Sequence, residues 1–363
     1  MALRCALMHD VRTKQNHSGS PEALAHGLLK TTIGLNIQLC LDVDKGVNGW
    51  NGQTPSALPN RREIMLTLRG ISVISLTPFT DAGDVDVNSL ARLVDFYLDA
   101  GVHGITLLGI MGEANKLLDR ERSQVIETVV GQVKGRVPVV VGCSAQGTHQ
   151  SAHYAKEAAQ LGADAIMLAP PVNQKNLELV YEHYKGVAKS VDLPLVIQDE
   201  PTTTGVTMPP AFFARLAANM DTARLAKLEE APTTVKISRI LEATDGKLDL
   251  FGGLGGMYFY EELARGAKGI MTGFAYPEVL VKVYELFTSG DQAAARKVFF
   301  QYLPLIRFEA QLGVSGVAIR KQTYKMRGAI DSSAVRLPAP QVDERTVSEL
   351  FDLVEFLGLS QEA

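Results

Sequence analysis

The stretch VPVVVGCS (137–144) opens with five consecutive apolar residues and shows no polar residue at alternate positions. A strand with one wet face alternates; a strand covered on both faces does not. Seven more short segments of this kind lie on either side of it: ISVISLTPF (71–79), GITLLGI (104–110), AIMLAP (165–170), PLVIQDE (194–200), RLAKLEE (224–230), LDLFGG (248–253) and KGIMTGF (268–274). Amphipathic helical stretches separate them, among them VNSLARLVDFYLDAG (87–101), DRERSQVIETVVGQVKG (119–135) and TTVKISRILEATDG (233–246). Acidic or small polar residues begin several of these and glycine ends several, as helix capping requires. Eight strand–helix units with doubly buried strands predict an α/β protein, a closed (β/α)8 TIM barrel. No GxGxxG follows the first strand, which counts against a dinucleotide fold.

Around this barrel, expected over residues 68–290, the chain divides into two further parts. Residues 291–363 read as a C-terminal helical appendage of about three helices. Residues 1–67 show little sustained periodicity and read as a poorly ordered N-terminal extension, or as sequence upstream of the true start, with Met65 just before regular structure begins.

The bulk numbers set outer limits. Of 363 residues, 46% are apolar and 21% charged, an ordinary globular composition. A net charge of -4 gives no basic footprint for nucleic acid. No apolar run reaches the ~18 residues of a membrane helix. Three scattered cysteines, Cys5, Cys40 and Cys143, argue against a disulfide scaffold and for a reducing compartment. With no secretory apolar segment at the start, a cytoplasmic protein is the expectation. Neither CxxC nor HExxH spacing occurs, so no metal site is expected.

One charge stands inside the strand pattern. Lys227 lies mid-strand in RLAKLEE, where an ammonium needs a partner or loses its proton. An amine tuned in this way can condense with a ketone, and the resulting iminium acidifies the adjacent carbon. Glu229, two residues on, shares its face and lies nearer the strand's C-terminal end, where barrel active sites are built. The pair reads equally well as nucleophile with general acid/base or as a buried ion pair. Lys236, Lys247 and Lys268 read as solvated surface lysines.

Five ordered motifs extend this reading. SLTPF (75–79), GIMGE (109–113), QDEPTTTG (198–205), AKLEEA (226–231) and AVRLPAP (334–340) together resemble the dihydrodipicolinate synthase / N-acetylneuraminate lyase family of class I aldolases, from about Leu68 to Leu357. The resemblance implies a covalent imine on Lys227 with a small 2-oxo acid, no separate cofactor, and a homo-oligomer, usually a tetramer built as a dimer of dimers. It also places Ile110, Met111 and Gly112 at the turn whose backbone N–H groups receive the substrate carboxylate. The departures are specific. Ile110 and Met111 replace turn threonines, Gln198 stands at the strand-five tyrosine, Val172 at a second tyrosine, and Thr203 at a substrate-binding arginine. Every hydroxyl of the synthase proton relay is thus missing, which counts against dihydrodipicolinate synthesis. The Gln-Asp-x-Pro and Lys-x-Glu pattern is similar to 2-keto-3-deoxy-L-arabonate dehydratases, and dehydration of a 2-keto-3-deoxy sugar acid is the expected reaction. Retro-aldol release of pyruvate and a catalytically inactive keto-acid-binding barrel stand as alternatives.

Of the remaining residues near strand ends, Gln198 reads as a catalytic amide holding substrate or water, or as a loop-ordering amide. Glu200 shares its parity and is expected to bind substrate in the cavity; Asp199 has the other parity. Thr77 reads as orienting the lysine or a water, or as an ordinary β-branched strand residue. Gly253, in GGLGG (252–256), is expected to let substrate or backbone approach closely. Glu113 reads chiefly as a structural carboxylate capping a helix or loop.

Overall fold

A computed structural model describes residues 68–311 and 315–359; the expected extension over 1–67 lies outside them. Eight parallel strands close in sequence order: β1 (Gly70–Ile74), β2 (Gly104–Leu107), β3 (Val139–Gly142), β4 (Ala165–Leu168), β5 (Leu195–Asp199), β6 (Ala223–Leu228), β7 (Asp249–Gly252) and β8 (Gly269–Thr272). A helix follows each strand: α1 (Val87–Asp99), α2 (Asp119–Val133), α3 (Thr148–Gln160), α4 (Leu177–Ala188), α5 (Pro210–Asn219), α6 (Thr233–Thr244), α7 (Phe259–Ala264) and α8 (Pro277–Thr288). The (β/α)8 barrel expected from the strand pattern is therefore the observed fold. Three helices complete the chain: α9 (Gln292–Glu309), which packs on α8, then α10 (Ser315–Met326) and α11 (Glu344–Phe356).

Local chemistry fixes the helix starts. Asp86 caps α1 by accepting from the Ser89 N–H, Asn176 caps α4 through Glu178, and Asp291 caps α9 through Ala294. Proline opens α5 and α8, where its fixed φ suits the first helical turn.

The apolar side chains divide into two cores. Leu68, Ile74, Val140, Ala165, Met167, Val196, Leu225, Phe251 and Met271 point into the barrel, while the larger cluster fills the layer between strands and helices. Side chains two apart on a strand share a face, so Val196 and Leu225 fix the direction of the residues beyond them. Gln198, two beyond Val196, and Lys227, two beyond Leu225, also face the barrel axis, at its C-terminal mouth.

Two strands end earlier than their apolar runs. Ser75–Phe79 leave β1 and cross the mouth, although the Ser75 N–H still donates to Thr106 O at 2.9 Å. After β2 the chain turns through a one-turn 3-10 helix, Ile110–Gly112, flanked by Leu108 (φ 54) and Glu113 (φ 51). Two non-glycine residues in the left-handed region around one turn mark a backbone held by its surroundings.

Candidate active site

Lys227 is buried at the mouth, beside Gln198 on β5 and Phe251 on β7 in the strand register. Its Nζ lies 2.7 Å from Glu229 Oε2, and Gln198 Nε2 donates to that same oxygen at 3.1 Å. Leu225, Phe251 and Met271 form an apolar floor beneath. An ammonium in such surroundings needs its counter-charge close by, and Glu229 supplies it. The amide of Gln198 fixes one carboxylate oxygen and leaves the other without a hydrogen bond from it. An amine and an amide are thus both brought to one carboxylate oxygen.

Gly253 makes this arrangement possible. A Cβ at this position would stand 2.4 Å from Glu229 Cγ and 3.0 Å from Lys227 Cε. The close approach expected at Gly253 is accordingly made by the Lys227–Glu229 side chains themselves. The neighbouring glycine, Gly252, faces a buried carboxyl, Glu262, whose Oε1 accepts from Thr233 Oγ1 at 2.6 Å. Burial pushes Glu262 up to about 7, with the Thr233 hydrogen bond pulling the other way.

Thr77 does not reach the lysine. Its hydroxyl donates to Gly112 O at 2.7 Å and so ties the β1 loop to the Ile110–Gly112 turn. Ile110 is exposed, Met111 half-buried and Gly112 buried. Glu113 then anchors the turn from behind. Lys321 Nζ donates to its Oε1 at 2.7 Å, while Lys116 Nζ and the Arg336 N–H donate to Oε2 at 2.8 and 3.0 Å. The structural reading of Glu113 matches this position. Arg336 forms a fork with Glu121, two bonds of 2.6 Å, and holds the Glu121 carboxyl down at about 2.

Glu200, expected to line the substrate cavity, is used otherwise: its carboxylate accepts from the Thr203 N–H at 2.6 Å and caps the short helical turn Pro201–Thr204. Lys236 corrects another expectation. It is not a solvated lysine but is buried on α6, with Nζ 2.7 Å from Asp199 Oδ2 and in contact with Glu230. Asp199 has the opposite parity to Gln198, so it projects outward into the helix layer, where Lys236 meets it. Burial pushes Asp199 up to about 7, against the pull of Lys236.

Sequence reasoning did not single out Lys321, Arg320 or Glu309. All three are buried, and their partners lie on other elements, at Glu113, at Met111 and on each other. Among the described residues no group of three or more His, Cys, Asp or Glu side chains is placed to hold a metal ion, and no helix is long and apolar enough to cross a membrane. A surface cavity among Lys185, Asn219 and Thr222 opens at the opposite end of the strands from Lys227.

The comparisons with known proteins agree with the barrel fold. The sequence profile of the dihydrodipicolinate synthetase family matches residues 67–356. A 4-hydroxy-tetrahydrodipicolinate synthase from Pelobacter propionicus is 30% identical over 295 residues, covering 80% of this chain and 99% of that protein. An L-2-keto-3-deoxyarabonate dehydratase from Azospirillum brasilense is 30% identical over 297 residues, 80% of this chain and 94% of its own. The crystal structure of dihydrodipicolinate synthase from Rhodopseudomonas palustris superposes with a TM-score of 0.75 at 34% identity, covering 79% of this chain and 97% of that one.

Proposed function

We propose, from the fact that the chain belongs to the dihydrodipicolinate synthetase family and is a lyase, that it dehydrates a 2-keto-3-deoxy sugar acid through an imine on Lys227. The observation that carries the reading is the Lys227–Glu229 contact of 2.7 Å in an apolar barrel mouth. Glu229 takes the ammonium proton, and the freed amine attacks the C2 ketone. Loss of water gives the iminium, which withdraws electrons from C3. A carboxylate removes the C3 proton, the C3–H electrons form the enamine, and the C4–O bond breaks as the hydroxyl leaves as water, protonated by the same group. The C3=C4 imine then loses a proton from C5 and takes one up at C3, which turns the C5 carbinol into an aldehyde, and hydrolysis of the imine returns Lys227. We assign the acid/base role to Glu229 and the orienting role to Gln198, which donates to it. The Ile110–Gly112 amides, positioned by Thr77, receive the carboxylate.

Dehydration is favoured over dihydrodipicolinate synthesis because Gln198, Ile110 and Met111 carry no hydroxyl where a tyrosine–threonine relay would need one. The dehydratase relative supports the same choice. No cofactor beyond the covalent imine is required by this chemistry. The family relationship also supports a homo-oligomer, a tetramer or a dimer, which sedimentation would measure.

The test uses borohydride with pyruvate and mass measurement, then 2-keto-3-deoxy-pentonates as substrates. The reading expects an adduct on Lys227 and 2-oxoglutarate semialdehyde plus water as products. Free pyruvate as the main product would replace dehydration by retro-aldol cleavage. Absence of any adduct would leave a keto-acid-binding barrel without this chemistry.

A further inference from the structure

Arg320, on α10, is 6% exposed and poorly provided for. Its Nη1 points at the thioether sulfur of Met111, 3.0 Å away, and its Nε lies 3.8 Å from Glu309 Oε2. Among the described residues neither Nε nor Nη2 has a hydrogen-bond partner. Glu309 Oε2 already accepts from the Ala275 N–H at 2.9 Å. A guanidinium offers five donors in a planar fork, and a thioether is a weak acceptor. Leaving those donors unmatched in a buried place costs free energy. A carboxylate brought by a ligand would fit the fork.

Position says which carboxylate. Met111 belongs to the Ile110–Gly112 turn at the barrel mouth. Gly255, in the loop after β7, lies beside the guanidinium, a Cβ there coming within 3.5 Å of Nη2, although the tight approach at this glycine is to Ala310 Cβ at 2.3 Å. Arg320 is also near enough to the Lys227–Glu229 pair to feel the Glu229 charge.

We infer that Arg320 binds the C1 carboxylate of the 2-oxo acid, beside the turn amides, and replaces the hydroxyl donors absent at Ile110 and Met111. The inference rests on the Schiff-base reading above. It makes Arg320 a substrate-binding residue and ties recognition to α10 rather than to a strand end. Met111 Sδ gives up its contact to the incoming oxygen.

The experiment compares pyruvate with its neutral amide, pyruvamide, in borohydride trapping on the full chain. The wild type should prefer pyruvate strongly. Arg320→Gln should raise the half-saturating pyruvate concentration about 100-fold, the size of a lost charge-assisted pair. The value for pyruvamide should move less than about threefold. Because the single change leaves Glu309 buried beside an amide, Arg320→Gln/Glu309→Gln, with both partners neutral, serves as the second variant. Arg320→Lys keeps a point charge and should fall between.

Equal trapping of the two ketones by wild type would overturn the inference, as would equal weakening of both in the variants. If wild type forms no adduct with either, the Schiff-base reading fails and takes this one with it. If wild type forms one and Arg320→Gln keeps its preference, only the role of Arg320 falls.

Discussion

Glu229 Oε2 meets two neighbours at once, pairing with Lys227 Nζ at 2.7 Å and accepting from Gln198 Nε2 at 3.1 Å, and the two come from adjacent strands. One carboxylate oxygen therefore links the proposed nucleophile to the proposed orienting amide. The pair divides two roles that mutation can separate. Lys227→Ala should abolish both trapping and turnover. Glu229→Gln should still form a pyruvate adduct, though more slowly because the amine loses its proton acceptor, while turnover falls by ~10²–10⁴, the usual loss when a general acid/base is removed. Turnover within about tenfold of wild type would transfer the role to another group.

Gly253→Ala isolates the effect of space. The added methyl meets Glu229 Cγ at 2.4 Å, well inside contact distance, while the backbone conformation itself accepts a side chain. The variant should fold, yet lose ~10²-fold in turnover by displacing the pair. An active Gly253→Ala enzyme would show that the Lys227–Glu229 contact is not needed in turnover.

Thr77→Val removes one hydrogen bond to Gly112 O and nothing else of size. The expected cost is ~1 kcal/mol of stability. The half-saturating 2-oxo acid concentration should rise several-fold at nearly unchanged turnover, since the turn loses its tie. Steady-state kinetics on the two forms checks this, and a fall in turnover alone would place Thr77 elsewhere in the reaction.

Glu262 makes stability depend on pH. Its folded value of about 7 exceeds the ordinary 4.5, so the folded state holds a proton that the unfolded state releases. The contribution is complete below 4.5 and is lost as pH rises through about 7. Its full size is ~3 kcal/mol by linkage. Glu262→Gln should flatten the fall in stability across that window, as urea titrations at several pH values would measure. An unchanged slope would mean that Glu262 is ionised in the folded protein.

The barrel was legible because its strands are unbroken runs such as VPVVV and its helices carry conventional caps. Strand parity alone also brings Lys227 and Glu229 to one face, while Gln198 on the neighbouring strand follows from the motif resemblance and meets Lys227 in the register. What the sequence hid were partnerships across distance. Lys236 lies in TTVKISRIL, whose helical period looks like that of a surface helix. Its burial follows from Asp199, on a strand that a helical pattern does not reveal. Arg320 and Lys321 sit in IRKQ, which has the composition of a solvated turn, yet both are buried because Glu309 and Glu113 wait for them. Glu200 shares parity with Gln198 but follows the last strand residue and precedes proline, so its carboxylate is taken by the Thr203 amide.

Glu113 is held by Lys321 and Arg336, 208 and 223 residues further along the chain. On the ribosome, a nascent chain that has completed its eighth strand at Thr272 still lacks both clamps. Two of the three donors that hold Glu113 are therefore made only after α9, and Lys116 alone lies close to it in the chain.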